Sequence, residues 1–345
     1  MTQWDDVAGK LVSGGELTYR QAYDLMAEIM AGELGDIRLA TFLSLLAMRG
    51  VATEELAGLA DSMRDQARHI DLPVDSVDIV GTGGDQAHTV NISTMAAVVI
   101  AAAGTPVVKH GNRASTSASG SADVLEALGV NLDLNNEKLE EIFPQTKIAF
   151  LFANSFHPSM RHAAAVRRGL GFPTVFNVLG PLTNPARPRA SAIGVANADV
   201  APLVAGVFAR RGSSAMVFRG ATRGLDELTT TDSAQLWHAV DGKVTYREFD
   251  PATEFGMARA KLEALRGGSP AHNAEIARRV FGGQEGPITD AVALNAAAGL
   301  VAANGHSDGD VIEQMRAALV PAQEAIFGGA AAKTLDRWVA LSEAD

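Results

Sequence analysis

Short apolar runs typical of strands alternate with helical stretches between Pro73 and about residue 235, and this alternation limits the possible folds most strongly. The runs cover residues 77–80, 106–109, 148–152, 191–195 and 215–219. Such a pattern predicts an α/β domain with a mostly parallel central sheet and helices on both sides. Beyond residue 235 the pattern weakens, and we predict a hairpin within 236–249 followed by Ala-rich helices.

The sequence pattern of the first 72 residues predicts helices only. Thr18 and Gln21 form a capping-box pattern, Asp36 can cap a helix over 37–48, and Thr53 opens a third helix. The 37–48 helix is apolar on nearly every side, so it requires burial on every side. Three short helices cannot supply that cover, which predicts contact with a partner domain or a second subunit. We therefore expect a helical domain over 1–72 and an α/β domain over 73–345.

Charge and composition exclude several classes of function. The 345 residues carry a net charge of −11 and include no cysteine, so disulfides, thiolate metal sites and a Cys nucleophile are excluded. An acidic chain has no general field that attracts nucleic acid or anionic lipid. The N-terminus has no signal-peptide pattern, and the longest apolar stretch, 95–104, is far shorter than a membrane span. We expect a cytoplasmic protein.

Two segments rich in glycine and polar side chains follow the first predicted strand. The run from Gly81 to Asp85 suits either backbone contact with a phosphate or a tight turn, and its spacing fits neither a Walker loop nor the dinucleotide fingerprint. Asn91, Ser93 and Thr94 then precede a helix. They indicate an anion site at its N-terminus, with an ordinary N-cap by Ser93 as the alternative.

The densest group of hydrogen-bond donors follows the second predicted strand, from Lys109 to Ser117. Two cations, an imidazole, an amide and three hydroxyls within nine residues indicate a flexible clamp over a polyphosphate. A solvated polar loop is the alternative.

Two further groups carry charge. The adjacent carboxylates of Asp226 and Glu227 suit Mg²⁺, although such a pair alone is usually solvated surface. A basic helix follows His157, and one of its arginines can turn inward and bind a ligand carboxylate. Arg167 lies ten residues after His157, which on one continuous helix places both on about the same face.

Together these motifs resemble those of the anthranilate phosphoribosyltransferase family. The resemblance spans about residues 15–340 and is carried by residues 81–85, 91–94, 109–113, 120–129, 176–185 and 226–227. It implies a nucleoside-phosphorylase-like phosphoribosyltransferase fold, in which a segment near 170–190 joins the helical domain. It also implies two Mg²⁺ ions per monomer, a homodimer formed through the helical domain, and no nucleic-acid or membrane partner. Gln86 departs from the family pattern, in which glycine is common.

The resemblance implies a role for each matching residue. The site for phosphoribosyl pyrophosphate (PRPP) comprises Gly81, Gly84, Asp85, Thr89, Asn91, Ile92, Ser93, Thr94, Lys109, His110, Gly111, Asn112, Arg113, Ala114, Ser115, Thr116, Ser117 and Ser121. Gly81, Asn112 and Arg167 contact anthranilate. Ser93 and Glu227 hold one Mg²⁺, and Asp226 with Glu227 holds the other.

The implied reaction displaces pyrophosphate from the anomeric carbon of ribose by the amine of anthranilate. Because that amine is neutral at pH 7, no strong base is needed, and no catalytic residue is assigned. For His110 two interpretations stay open, a proton acceptor and a structural hydrogen bond. Two alternative functions also remain: a pyrimidine nucleoside phosphorylase of the same fold, and a nucleic-acid-binding relative.

Overall fold

The computed structural model describes residues 4–114, 118–306 and 309–344. The seven strands are β1 (Val77–Gly81), β2 (Val107–Gly111), β3 (Ile148–Phe152), β4 (Ala190–Gly194), β5 (Ser214–Gly220), β6 (Ala234–Val240) and β7 (Lys243–Phe249). The α-helices are α1 (Trp4–Val12), α2 (Tyr19–Ala31), α3 (Asp36–Arg49), α4 (Thr53–Asp65), α5 (Ile92–Ala102), α6 (Ser121–Leu128), α7 (Asn136–Thr146), α8 (Ala153–Phe156), α9 (Arg161–Leu170), α10 (Phe176–Leu179), α11 (Ala201–Arg211), α12 (Pro251–Glu254), α13 (Pro270–Phe281), α14 (Pro287–Asn304), α15 (Val311–Phe327) and α16 (Ala330–Glu343). Short 3₁₀ turns lie at Pro158–Met160, Gly180–Leu182 and Leu262–Leu265.

The chain divides into two compact units, the first formed by residues 1–69 and 153–185 and the second by 70–152 and 186–345. The segment expected near 170–190 thus begins earlier, at Ala153, and ends earlier, at Pro185. It begins earlier because α9 packs on α2 and α3, which places the whole 153–170 stretch with the N-terminal helices. It ends earlier because Arg189 and Ala190 donate backbone hydrogen bonds to Val74 and Ser76, as part of the entry into β4.

The first unit is helical, as the sequence predicts. Thr18 accepts a hydrogen bond from the backbone N–H of Gln21, and the Gln21 side chain accepts one from the Thr18 N–H, so the capping box is confirmed. Asp36 is the first residue of α3 rather than its cap, because Gly35 occupies the cap position and makes no side-chain bond. Within this unit α2 packs closely on α4, where a side chain at Gly58 would overlap the Tyr19 carbonyl.

The second unit is built on a seven-stranded sheet in the order β3-β2-β1-β4-β5-β6-β7. β1 to β5 are parallel, while β6 and β7 are antiparallel and form the predicted hairpin. Side chains alternate across the sheet, so Met216 and Phe218 face a large core beneath α5 and α14, whereas Ala215 and Val217 face the side where α11 packs. The predicted fold class, a helical domain with an α/β domain of mostly parallel sheet, is confirmed.

Candidate active site

The connections between strands change direction at β1. From β1 the chain runs to β2 and β3 on one side, and it then returns to β4 on the other side. Open parallel sheets bind ligands outside the carboxyl ends of their strands at such a switch point. Four parallel strands end there in glycine: Gly81, Gly111, Gly194 and Gly220. Gly81 and Gly194 are direct register partners. These glycines let other parts of the chain approach the strand ends closely.

Asp226 occupies the space that two of those glycines leave. A Cβ added at Gly81 would overlap the Asp226 carboxylate, and one added at Gly194 would overlap the Asp226 carbonyl. Gly81 is one of the predicted site residues, whereas Gly194 is not, and its only signal is its place near the end of the predicted strand 191–195. The buried Asp226 carboxylate also accepts a 2.7 Å hydrogen bond from the Gly83 N–H.

Asp85 faces Asp226 across the same space. One Asp85 oxygen accepts a hydrogen bond from the Ala87 N–H at 3.1 Å, while the other is buried and receives no hydrogen bond from any described residue. Burial, and then repulsion by Asp85, raises the pKa of Asp226 to about 7. The two carboxyl groups lie close enough to share a proton, and a bound cation would take the place of that proton.

Glu227 lies over the N-terminus of α5. Its Oε1 accepts a 3.2 Å hydrogen bond from the Ser93 N–H, where the helix dipole favours negative charge. Burial and the neighbouring Asp226 nevertheless raise the pKa of Glu227 well above its usual range. The cap position of α5 belongs to Asn91 and not to Ser93, so the alternative of an N-cap by Ser93 is wrong. The Glu227 carboxylate thus lies at that helix terminus.

Lys109 is the internal counter-ion of this cluster. Its side chain is only 1% exposed, and its Nζ donates to the Ile79 carbonyl and, at 3.4 Å, to the Ser93 hydroxyl. Burial lowers the pKa of Lys109, an effect opposed by Asp78, Glu227 and Asp226. The prediction of a flexible clamp is therefore wrong for this residue, because β2 carries Lys109 beneath the site instead of into solvent. Beside it, the His110 N–H donates to Asp78 at 3.1 Å.

Arg113 points to carboxylates of its own chain. It donates to both oxygens of Glu126 at 2.6 Å and to Asp123 at 3.2 Å, and it lies 5.6 Å from the centre of the Phe152 ring. Asn112 accepts a 2.8 Å hydrogen bond from the Arg113 N–H. Ser115, Thr116 and Ser117, also predicted to belong to this loop, lie outside the described residues.

The remaining predicted phosphate ligands form a hydrogen-bonded group around the start of α5. Thr94 donates to the Ser121 hydroxyl at 3.0 Å, and the Asn91 amide donates to the Ser119 carbonyl at 3.0 Å. Asn91 in turn accepts from Asn273 at 2.9 Å, a partner that the sequence analysis did not identify. The side chain of Ile92 belongs to the hydrophobic core, so only its backbone is available to a ligand.

Backbone strain marks the loop between β1 and α5. Gly84 has φ +84°, and Gln86 and His88 have φ of 57° and 52° in the left-handed region that favours glycine. Gln86 thus adopts the conformation that the family's glycine would adopt without strain. Beyond the loop, Thr89 pairs with Arg266 in an isolated antiparallel bridge, which fixes its position before Asn91.

Asn295 fixes the carboxylate pair from behind, and no sequence pattern identified it. This amide is fully buried on α14, accepts from the Leu228 N–H at 3.2 Å and donates to the Leu228 carbonyl at 2.8 Å. It also donates to the Ala291 carbonyl at 2.8 Å. The peptide directly after Glu227 is therefore held by a side chain whose hydrogen bonds are all made. The signal was one polar residue within the otherwise apolar stretch 291–303.

The first unit carries a cationic group of its own. Arg167 on α9 is half-buried, lies 5.0 Å from the centre of the Phe176 ring, and forms no ion pair with any residue that the structure describes. Burial lowers the pKa of its guanidinium. The expectation that His157 and Arg167 share one helix face is wrong, because a 3₁₀ turn at Pro158–Met160 separates His157 from α9.

His157 is buried in the same unit. Its Nε2 lies 3.0 Å from the Thr183 carbonyl, so this nitrogen carries a proton and donates. Burial lowers the pKa of His157 to about 4, against the opposing effect of that hydrogen bond. The ring is therefore neutral at pH 7.

Two features are absent from the part of the chain that the structure describes. Over 4–114, 118–306 and 309–344, no helix is long and apolar enough to cross a membrane. In the same part of the chain no three His, Asp or Glu side chains are arranged to hold a metal ion by themselves. A metal bound by Asp226 and Glu227 would thus need further ligands from water or substrate, as Mg²⁺ usually does.

Comparison with known proteins gives a consistent result over nearly the whole chain. Residues 6–67 match the helical bundle domain of the glycosyl transferase family, and residues 73–332 match its a/b domain. An anthranilate phosphoribosyltransferase from Arthrobacter sp. (strain FB24) is 52% identical over 339 residues, covering 98% of this chain and 96% of the relative.

Solved structures agree with that result. The crystal structure of anthranilate phosphoribosyltransferase from Thermus thermophilus superposes with a TM-score of 0.89 at 42% identity, covering 98% of this chain and 100% of the other. The enzyme from Saccharomyces cerevisiae in complex with PRPP and Mg superposes with a TM-score of 0.86 at 28% identity, covering 98% and 97%.

Proposed function

The chain belongs to the anthranilate phosphoribosyltransferase family, and from that membership we propose how its residues carry out the reaction. The protein transfers the phosphoribosyl group of PRPP to the amine of anthranilate, giving N-(5-phosphoribosyl)anthranilate and pyrophosphate in tryptophan biosynthesis. The observation that carries the residue assignment is the buried pair of Asp226 and Glu227, with the partly exposed Asp85 beside Asp226, at the switch point of the sheet. Burial raises the pKa of both carboxyl groups, and a cation between them and a pyrophosphate would stabilise their ionised forms.

Mg²⁺ fits this donor set. Asp226 and Glu227 offer carboxylate oxygens, Ser93 offers a hydroxyl, and Asp85 Oδ2 receives no hydrogen bond within the described residues. We assign one ion to Ser93 with Glu227 and a second to Asp226 with Glu227, and the yeast relative's complex with PRPP and Mg supports the choice of metal. When bound, Mg²⁺ neutralises the charge that develops on the leaving pyrophosphate.

The chain's own residues bind and orient the two substrates. PRPP is held by three groups of residues. They are the backbone around Gly81 and Gly84, the polar side chains of Asn91 and Thr94, and the segment 109–117 with Ser121. Lys109 adds buried positive charge beneath the strand ends, where a low dielectric strengthens its effect. Because the amine of anthranilate is neutral, positioning and electrostatics are sufficient, and His110 has no required role as a base.

We assign Arg167 to the carboxylate of anthranilate. A guanidinium with no carboxylate partner among the described residues, stacked on Phe176, is suited to a planar aromatic acid. The pyrimidine nucleoside phosphorylase and nucleic-acid alternatives receive no support from the relatives and solved structures named above, which are anthranilate phosphoribosyltransferases.

We also propose that the protein is a cytoplasmic homodimer formed through its helical domain. α3 buries Leu39, Phe42, Leu43 and Leu46 but leaves Ile37 85% and Met48 86% exposed. Exposed apolar side chains on such a helix favour a second copy as their cover. Sedimentation at micromolar concentration should give a dimer, and a stable monomer of 36.0 kDa would contradict this.

One assay tests the activity. Anthranilate is fluorescent, and its emission should fall after PRPP and Mg²⁺ are added with the protein. Omission of either PRPP or Mg²⁺ is the control. Unchanged emission with all components present, or turnover of thymidine and phosphate instead, would refute the proposed function.

A further inference from the structure

Asp123, the third residue of α6, joins two parts of the loop between β2 and α6. Its Oδ2 accepts hydrogen bonds from the Gly120 N–H at 2.8 Å and from the Ala114 N–H at 2.9 Å. The Gly120 bond is half of a common helix cap. The Ala114 bond is not part of any helix, because it ties α6 to the chain nine residues earlier. We call residues 113–114 and 119–121, which this carboxylate holds together, the neck of the loop.

Gly120 shows how closely the two sides of the neck approach. A Cβ added at this position would overlap the backbone of Arg113 and Ala114. Burial raises the pKa of Asp123, but the hydrogen bonds from Ala114, Gly120 and Arg113 outweigh it, so the net pKa is lowered. The carboxylate is ionised at neutral pH and accepts both N–H groups with full charge.

The neck also adjoins residues assigned to PRPP. The Ser119 carbonyl accepts from Asn91 at 3.0 Å, and the Ser121 hydroxyl accepts from Thr94 at 3.0 Å. On the other side, the Asn112 carbonyl accepts from the Ala122 N–H at 3.3 Å. The Asp123 carboxylate and the Ala122–Asn112 hydrogen bond together therefore set the distance between the β2 side of the loop and the α5 side.

We propose that Asp123 is a positioning residue for PRPP, which sets the spacing between Asn112 on one side and Asn91, Thr94 and Ser121 on the other. The proposal rests on the proposed function for the identity of the ligand. Asp123 acts through the neck and does not touch the substrate.

Glu126 provides a matched control on the same helix. It is also a carboxylate bound to Arg113, with two contacts at 2.6 Å, but its hydrogen bonds go to that side chain and not to the backbone of the neck. Loss of Glu126 therefore removes a comparable charge and frees the same arginine without opening the neck.

The experiment compares Asp123→Ala, Asp123→Asn and Glu126→Gln by direct calorimetric titration with PRPP and Mg²⁺ and by steady-state kinetics. Loss of two charge-assisted bonds in Asp123→Ala should raise the Kd and KM for PRPP about tenfold or more. Asp123→Asn keeps one oxygen for the two N–H groups, so an intermediate rise of about two- to fivefold is expected. Glu126→Gln should stay within about twofold of the wild type.

Two results would overturn the proposal: an unchanged PRPP Kd in Asp123→Ala, or an equal rise in Glu126→Gln. Thermal unfolding identifies a variant that has not folded. If Asp123→Ala does not fold, Asp123→Asn decides, since a rise of less than about twofold there refutes the role. Failure of the proposed function is distinguishable, because the wild type would then show no turnover of anthranilate whatever the variants do.

Discussion

The two units of the molecule hold unbalanced charge of opposite sign. At the strand ends of the second unit, Asp85, Asp226 and Glu227 lie together, with the buried Lys109 as their counter-ion. In the first unit, Arg167 rests on an aromatic ring with no carboxylate paired to it among the described residues. One region needs a cation and the other an anion. Each unit, taken alone, therefore holds charge that stays unbalanced until substrate binds.

Removal of the acidic pair should have the largest effect. Asp226→Asn combined with Glu227→Gln should lower turnover by about 10³-fold or more, because the metal loses its carboxylates. Thermal stability should fall modestly, since the amides remove two of the three carboxylates that oppose the cost of burying the Lys109 charge. Kinetics at saturating Mg²⁺ and an unfolding scan check both statements, with the exposed turn variant Asp241→Asn as control. Normal activity in the double variant would refute the metal role.

Acid should destabilise the first unit through His157. Its pKa is about 4 in the folded protein and about 6.5 when unfolded, so between these values the unfolded chain binds the extra proton. Stability is therefore fully present above about pH 6.5 and falls by up to about 3 kcal/mol as pH decreases towards 4. Urea titrations of wild type and His157→Gln across this range measure the effect. Identical pH profiles would show that His157 does not carry it.

Arg167→Ala should affect one substrate only. A charge-assisted fork is worth about 1.5–3 kcal/mol, so the KM for anthranilate should increase by roughly 10–150-fold, while that for PRPP hardly changes. Arg168→Ala, at the next position of the same helix, is the matched control. If the KM for PRPP rises and that for anthranilate does not, Arg167 is misassigned and Arg168 becomes the next candidate.

The ring beneath Arg167 should contribute least. Phe176→Leu keeps an apolar side chain but removes the aromatic face, a contact worth about 0.5–1 kcal/mol, so the KM for anthranilate should increase by about two- to fivefold. Phe172→Leu replaces a partly exposed ring in the same unit and should have no effect. Equal KM values for wild type and Phe176→Leu would show that the stacking does not orient the guanidinium.

Local features of the fold could be predicted from the sequence because neighbouring residues determine them. The capping box at Thr18, the strand at Ile148–Phe152 and the hairpin after Ala234 each depend on short-range pattern and appear in the structure. The N-terminus of α3 was misplaced by one residue because Asp36 resembles a cap, whereas Gly35 precedes the helix.

The candidate site was less predictable because its interactions join distant parts of the chain. Sequence gives no sign that Asp226 packs on Gly194, that Asn295 holds Leu228, or that Arg113 turns to Glu126. Lys109 was predicted to belong to a flexible clamp over a polyphosphate, but it lies on β2 with its side chain in the interior. Residue types predicted the chemistry, and only tertiary packing determines which groups are buried and paired.

Calorimetric titration with PRPP tests the central claim most directly, namely that the buried carboxylates bind PRPP through Mg²⁺. Wild-type protein should bind PRPP with Mg²⁺ present and lose that binding when the metal is chelated. The Asp226→Asn, Glu227→Gln variant should bind PRPP weakly in both conditions. Equal PRPP affinity in wild type and variant, with or without Mg²⁺, would contradict the account.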